Sequence, residues 1–204
     1  GVNMVLVMPE NSTIERVQTM RAYGAKVILT PAELGIEGSR DYALKLKYKK
    51  GYYRLNQFDN PDNSKAHYKT TGPEIWRDTE GEVTHFVASM GTTGTIMGVS
   101  DYLKEMNKSI TIVGVQPDGD SKIPGIRKWG DEYVPAIFNR KKVDEVLEVS
   151  EAEATLMTQR LAEEEGVFAG MSSGGNVFCA LKVAEKLESG VVVAIICDRG
   201  DRYL

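Results

Sequence analysis

Strand-length apolar runs alternate with helix-patterned segments from one end of this chain to the other. "VNMVLVMP" (2–9), "AKVILT" (25–30), "VTHFVASM" (83–90), "ITIVGVQP" (110–117), "VDEVLEVS" (143–150) and "GVVVAIICDRGD" (190–201) read as strands. Between them, "NSTIERVQTMRAYG" (11–24), "EGSRDYALKLKYKK" (37–50), residues 64–79, the stretch from the first glycine loop to about Met106 and "SEAEATLMTQRLAEEEG" (150–166) read as helices. "VFAGMSSGGNVFCALKVAEKL" (167–187) repeats the order strand, glycine loop, helix. Several strand runs are apolar without alternation, as strands covered on both faces are. Helices between such strands specify the α/β class: mostly parallel sheets with helices on both faces.

The punctuation agrees with that division. Ser12 with Glu15, and Ser150 with Glu153, have the spacing of a capping box; Gly24, Gly51 and Gly166 stand where helices stop. "TTGP" predicts a break near Pro73 in the 64–79 helix. "YYRL" (52–55) reads as a short strand and "NQFDNPDN" (56–63) as a loop. Residues 118–142 form a long irregular stretch, a length that is usually functional or mobile inside a compact domain.

Ligands in such folds bind at the C-terminal ends of the strands. That selects the loops at 90–95, 117–128 and 171–175. In "SMGTTGTIMG" (89–98), the absence of side chains lets backbone N–H groups approach a ligand, and the following helix adds the positive end of its dipole. A phosphate fits this loop without a lysine, and so does a plain strand-to-helix turn. The Gly-Lys-Ser/Thr ending of a P-loop is absent. The spacing Gly91–Gly94–Gly98 is not that of a dinucleotide fingerprint, and the next strand ends in Gln116 and Pro117 where an acid should meet a ribose. A nucleotide-binding oxidoreductase is therefore disfavoured. In "GMSSGGN" (170–176) the serines bind a ligand or cap the next helix. Gln57 and Asn60 lie in a polar loop that a turn would also explain, and Arg127 and Lys128 in the long irregular stretch meet an anion or solvent.

Charge narrows the partners. The net charge is −4, from 29 acids against 25 bases, with no basic stripe for nucleic acid or an anionic membrane. No run approaches the roughly 20 apolar residues of a membrane span. Cys179 and Cys197 are far apart in apolar segments, as reduced thiols of a cytosolic protein are, and with the isolated His67 and His85 they make no metal spacing. Gly1 opens directly on a strand without an initiator methionine, so a segment upstream of it is expected.

Taken together, "GTTGT", "SSGG", "QFDNP" before "HYKTTGPEIW", and "IPGIRKW" resemble the cysteine synthases, pyridoxal-phosphate enzymes with the tryptophan synthase β-subunit fold. "GTTGT", "IPGIR" and the ending "IICDRGDRYL" look most like the M-type O-acetylserine sulfhydrylases, and the resemblance runs from Gly1 to Leu204. It implies that residues 1–62 are the remainder of a smaller N-terminal domain and 63–204 a larger cofactor-binding domain. It implies that Gly91, Thr92, Thr93, Gly94 and Thr95 bind the phosphate of pyridoxal 5'-phosphate. Ser172 matches the serine at the pyridine nitrogen, with Ser173 as the fallback. Gln57 matches a binder of the substrate carboxylate, and Arg127 is expected to favour larger anionic sulfur donors. The implied reaction replaces the acetate of O-acetyl-L-serine with sulfide or thiosulfate, giving cysteine or S-sulfocysteine, in a cytoplasmic homodimer. No lysine here matches the family's Schiff-base lysine or its asparagine loop, so these 204 residues alone are not expected to be catalytic. The competing readings are a serine/threonine dehydratase, a cystathionine β-synthase, and a non-catalytic module that binds a phosphorylated metabolite.

Overall fold

The computed structural model describes residues 1–203; the side chains of Lys49, Lys50 and Arg202, and Leu204 at the end of "IICDRGDRYL", lie outside the described residues. The chain divides into two units, Gly1–Leu55 with the chain end from Arg202, and Asn56–Asp201. The dividing point is 55/56, whereas the sequence reading set it at 62/63.

The first unit is a β–α–β element extended by a second helix. Strands β1 (Val5–Pro9) and β2 (Lys26–Thr30) pair in parallel, Val7 opposite Ile28. Helix α1 (Ile14–Ala22) connects them, and α2 (Gly35–Lys50) packs back on both strands. The Ser12–Glu15 capping box does not form, because the helix starts one residue later, with Thr13 at the N-cap. Its end is better specified: Gly24 takes φ 84°, and the Gly24 and Ala25 amides return to Arg21 and Met20 carbonyls, the Schellman pattern. Gly51 closes α2 at φ 67°. "YYRL" forms no strand.

The second unit carries a four-stranded, wholly parallel sheet in the order β5-β4-β3-β6. The strands are β3 (Val83–Ser89), β4 (Thr111–Pro117), β5 (Glu145–Val149) and β6 (Val191–Ala194). Alternate residues of β3 enter two different cores. Phe86 and Ala88 face a cluster with Ile96, Met97, Val99 and Leu103 of α5 (Gly94–Met106). Val87 faces the other, with Ala154 of α6 (Glu151–Glu165) and Cys179 and Val183 of α7 (Met171–Ala184). Helices thus cover both faces, as unalternating strands require.

The chain runs outward from β3 through β4 to β5, then returns to place β6 on the other side of β3. The order reverses at β3 and β6, and the crevice beyond their C-terminal ends is where such sheets bind ligands. Four further elements depart from the sequence reading. The 64–79 helix is two helices, α3 (Pro61–Lys69) and α4 (Thr71–Asp78), broken at Thr70; Pro73 sits in the first turn of α4, where its missing N–H is harmless. The 56–63 loop ends at Asn60, whose side chain caps α3 by accepting from the Asp62 amide. Residues 167–169 form one isolated bridge, Ala169 to Arg199, rather than a strand. The "SSGG" segment is the first turn of α7, not a loop.

Candidate functional site

The loop after β3 is shaped by the sequence in an unusual way. Thr93 holds φ 68°, a left-handed conformation that is a genuine outlier for a β-branched residue. It serves as N-cap of α5, yet its side chain does not cap the helix. Its Oγ1 is buried and has no hydrogen-bond partner among the described residues. The amides of Gly91, Thr92, Thr93, Thr95 and Ile96 reach no backbone acceptor among the described residues. Strain, an orphaned hydroxyl and orphaned amides at the positive end of a 13-residue helix coincide at one place. Such a concavity receives an anion.

Neighbouring segments hold this loop in place. Met90 is buried; its N–H donates to Val115 O and its carbonyl accepts the Arg127 N–H at 2.9 Å. Trp129 Nε1 donates to Gly91 O at 2.8 Å, and a Cβ on Gly91 would meet Gly125 O at 2.7 Å. The stretch from 118 to 142 is therefore pinned where it crosses the glycine loop, with Ile123 and Ile126 fully in the core. The Phe58 ring meets Trp129 edge-on at 5.5 Å, which brings the "QFDNP" segment alongside.

Asn63, in the first turn of α3, was not singled out from the sequence. Its Nδ2 donates to Gln57 O at 2.7 Å and to Thr92 Oγ1 at 3.1 Å. One turn later, His67 Nε2 lies 3.3 Å from Thr95 Oγ1 while its Nδ1 meets Thr71 Oγ1 at 2.9 Å. Burial pushes the His67 imidazole below its ordinary pKa. Helix α3 comes this close because α5 has been cut away. A Cβ on Gly94 would lie 2.0 Å from Asn63 Oδ1, and one on Gly98 would lie 2.1 Å from Ser64 O. Glycines four apart on one helix face were the signal available in the sequence.

On the other side of the crevice, α7 presents Ser172 and Ser173, both buried. Ser173 Oγ accepts the Cys197 N–H at 2.9 Å. The Ser172 hydroxyl makes no hydrogen bond among the described residues and faces Gly125, where a Cβ would lie 3.3 Å from its Oγ. The glycines of "SSGG" have a packing role. A Cβ on Gly174 would fall 2.2 Å from Thr158 Oγ1 and 2.3 Å from Ala154 O of α6. Asn176 Nδ2 ties the end of β6 to α7 through Ile195 O and Cys197 Sγ. Gln57, the glycine loop and the long stretch that carries Arg127 are thus joined by direct contacts, and Ser172 lies against Gly125 of that stretch. The Gln57 residue is exposed, and Arg127 Nη1 turns back to the carbonyls of Ile123 and Ile126.

Comparison with known proteins places this arrangement in a class. Residues 1–198 match the pyridoxal-phosphate dependent enzyme family, and the chain belongs to it. Over all 204 residues it is 56% identical to cysteine synthase B of Pseudomonas aeruginosa, covering 68% of that protein. Among solved structures, cysteine synthase (OASS) of Entamoeba histolytica superimposes with a TM-score of 0.90 at 36% identity, over 100% of this chain and 63% of that one. The O-acetylserine dependent cystathionine β-synthase of Helicobacter pylori gives 0.92 at 37% identity, over 100% and 69%. The chain thus spans about two thirds of the length of these relatives. The family's cofactor is pyridoxal phosphate, and the site suits it: a cradle of N–H donors for a dianion at residues 91–96 and a buried serine hydroxyl at Ser172.

Proposed function

We propose that the intact protein is a cysteine synthase, replacing the acetate of O-acetyl-L-serine with sulfide to give L-cysteine. The observation that carries this reading is the strained Thr93 loop with its orphaned amides, in a chain 56% identical to a cysteine synthase B. Gly91, Thr92, Thr93, Gly94 and Thr95 hold the cofactor phosphate through backbone N–H groups and hydroxyls. Ser172 meets the pyridine nitrogen, its hydroxyl facing Gly125 of the long stretch, whereas Ser173 Oγ is held against the Cys197 amide. When bound, the pyridoxal ring withdraws electrons from the substrate α-carbon, which acidifies its proton and favours departure of acetate. A serine hydroxyl hydrogen-bonds the ring nitrogen without keeping it protonated, so Ser172 tempers that withdrawal in a way that suits elimination over transamination. The Gln57 side chain helps bind the substrate carboxylate. No lysine of this chain is assigned to the cofactor aldehyde.

Arg127 favours larger anionic donors such as thiosulfate, which gives S-sulfocysteine; the guanidinium exchanges its carbonyl contacts for the anion. The smaller domain is proposed to run to residue 62, past the 55/56 boundary of the two compact units, with 63–204 as the larger domain, in a cytoplasmic homodimer whose size sedimentation would measure. The Helicobacter pylori neighbour keeps one alternative open, transfer to homocysteine.

Intact protein is incubated with O-acetylserine and sulfide, then with O-acetylserine or serine and homocysteine. Cysteine and acetate in equal amounts are expected from the first mixture. Cystathionine as the dominant product, or a keto acid and ammonia, would sink the assignment in favour of the synthase or dehydratase alternatives. Cofactor binding without any product would point to the non-catalytic module. For the sulfur donor, Arg127→Ala is expected to lower the thiosulfate rate relative to the sulfide rate.

A further inference from the structure

The chemistry of one carboxamide fixes the direction of a hydrogen bond at the phosphate loop. Gln57 O is a main-chain carbonyl and can only accept. The Asn63 atom facing it at 2.7 Å is therefore Nδ2, which settles the orientation of the amide. The second proton of the same nitrogen points to Thr92 Oγ1 at 3.1 Å. The Gly94 N–H approaches that oxygen as well, at 3.4 Å. A hydroxyl oxygen has two lone pairs and one proton. Both lone pairs of Thr92 are thus taken by donors, and only its O–H remains to be given away. We infer that Asn63 is a positioning residue: it locks Thr92 as a dedicated hydrogen-bond donor to a phosphate dianion and ties that donor to the main chain at Gln57. The missing side chain at Gly94 belongs to the same device, because any Cβ there would overlap Asn63 Oδ1.

This inference rests on the phosphate reading proposed above, and the experiment separates the two. Affinities of the intact protein for pyridoxal phosphate and for pyridoxal, which lacks the phosphate, are measured by quenching of tryptophan fluorescence. Wild type, Asn63→Ala, Thr92→Val and the double variant are compared. Wild type is expected to prefer the phosphorylated form. Each single variant is expected to reduce that preference about tenfold, the scale of one hydrogen bond to a charged group. The double variant should lose no more than Thr92→Val alone, because Asn63 acts through Thr92. Additive losses, or an equal loss of both ligands with the preference intact, overturn the inference. Asn63→Asp keeps the shape and removes the donor, so it too should lose the preference; its retention overturns the inference. A wild type that binds both ligands equally overturns the phosphate reading itself.

Discussion

Thr93 illustrates how a residue can be badly suited to its own backbone and well suited to a ligand. A β-branched side chain at φ 68° costs on the order of 1–3 kcal/mol. Thr93→Gly is expected to raise the unfolding temperature of the cofactor-free protein while weakening pyridoxal phosphate binding, since the orphaned hydroxyl is removed. Calorimetry paired with a cofactor titration tests this, and a variant that gains stability and affinity together would refute it. His67 supplies a pH dependence. Burial favours its neutral ring, so the unfolded chain takes up the proton first as pH falls through the ordinary 6.5. The stability His67 contributes is therefore complete above that pH and is lost on acidification toward its lower folded value. Stability should decline below about pH 6.5, and less steeply in His67→Gln. An identical slope in the two proteins would place the titration elsewhere. The cysteines differ in kind. Burial pushes Cys179 up to about 12, whereas Cys197 is exposed. Alkylation of native protein at neutral pH should label Cys197 and spare Cys179.

At the scale of elements, local chemistry and tertiary contact divide the work. Ser150 and Glu153 form the full capping box of α6, and Gly166 ends that helix at φ 67°. Ser150→Ala should cost about 0.5–2 kcal/mol, read as a lower denaturant midpoint at unchanged slope. Gly174→Ala should cost about 1–3 kcal/mol by forcing α7 from α6. These helix ends, the strands and the α/β class were legible in the sequence because caps and apolar runs are local. The failures have a common cause. The Ser12–Glu15 spacing lost to a start at Ile14 set by how α1 joins β1 to β2. "SSGG" reads as a loop by composition, yet its glycines answer to the packing of α7 on the preceding helix α6, a tertiary contact. The glycine loop, Gln57 and Ser172 were named from motifs and the family resemblance. Asn63 was not, because the spacing of Gly94 and Gly98 shows that a helix face is open but not which residue packs there.

For the molecule as a whole, the two units are unequal in how they bury their strands. In the second unit, β3 and β4 are central, flanked on both sides and sealed between two cores. In the first, β1 and β2 stand as a two-stranded sheet of mostly half-buried residues. Amides of β3 and β4 should exchange with solvent slowest, and those of β1 and β2 sooner. The reverse order would mean that the small unit is the more stable.

The notch in α5 has an evolutionary corollary. A larger residue can return to position 94 or 98 only if the facing turn of α3 gives up volume at Asn63, Ser64 or His67 in the same lineage. Those two stretches should drift as a linked pair, and an engineer grafting either one onto a relative would have to transplant both.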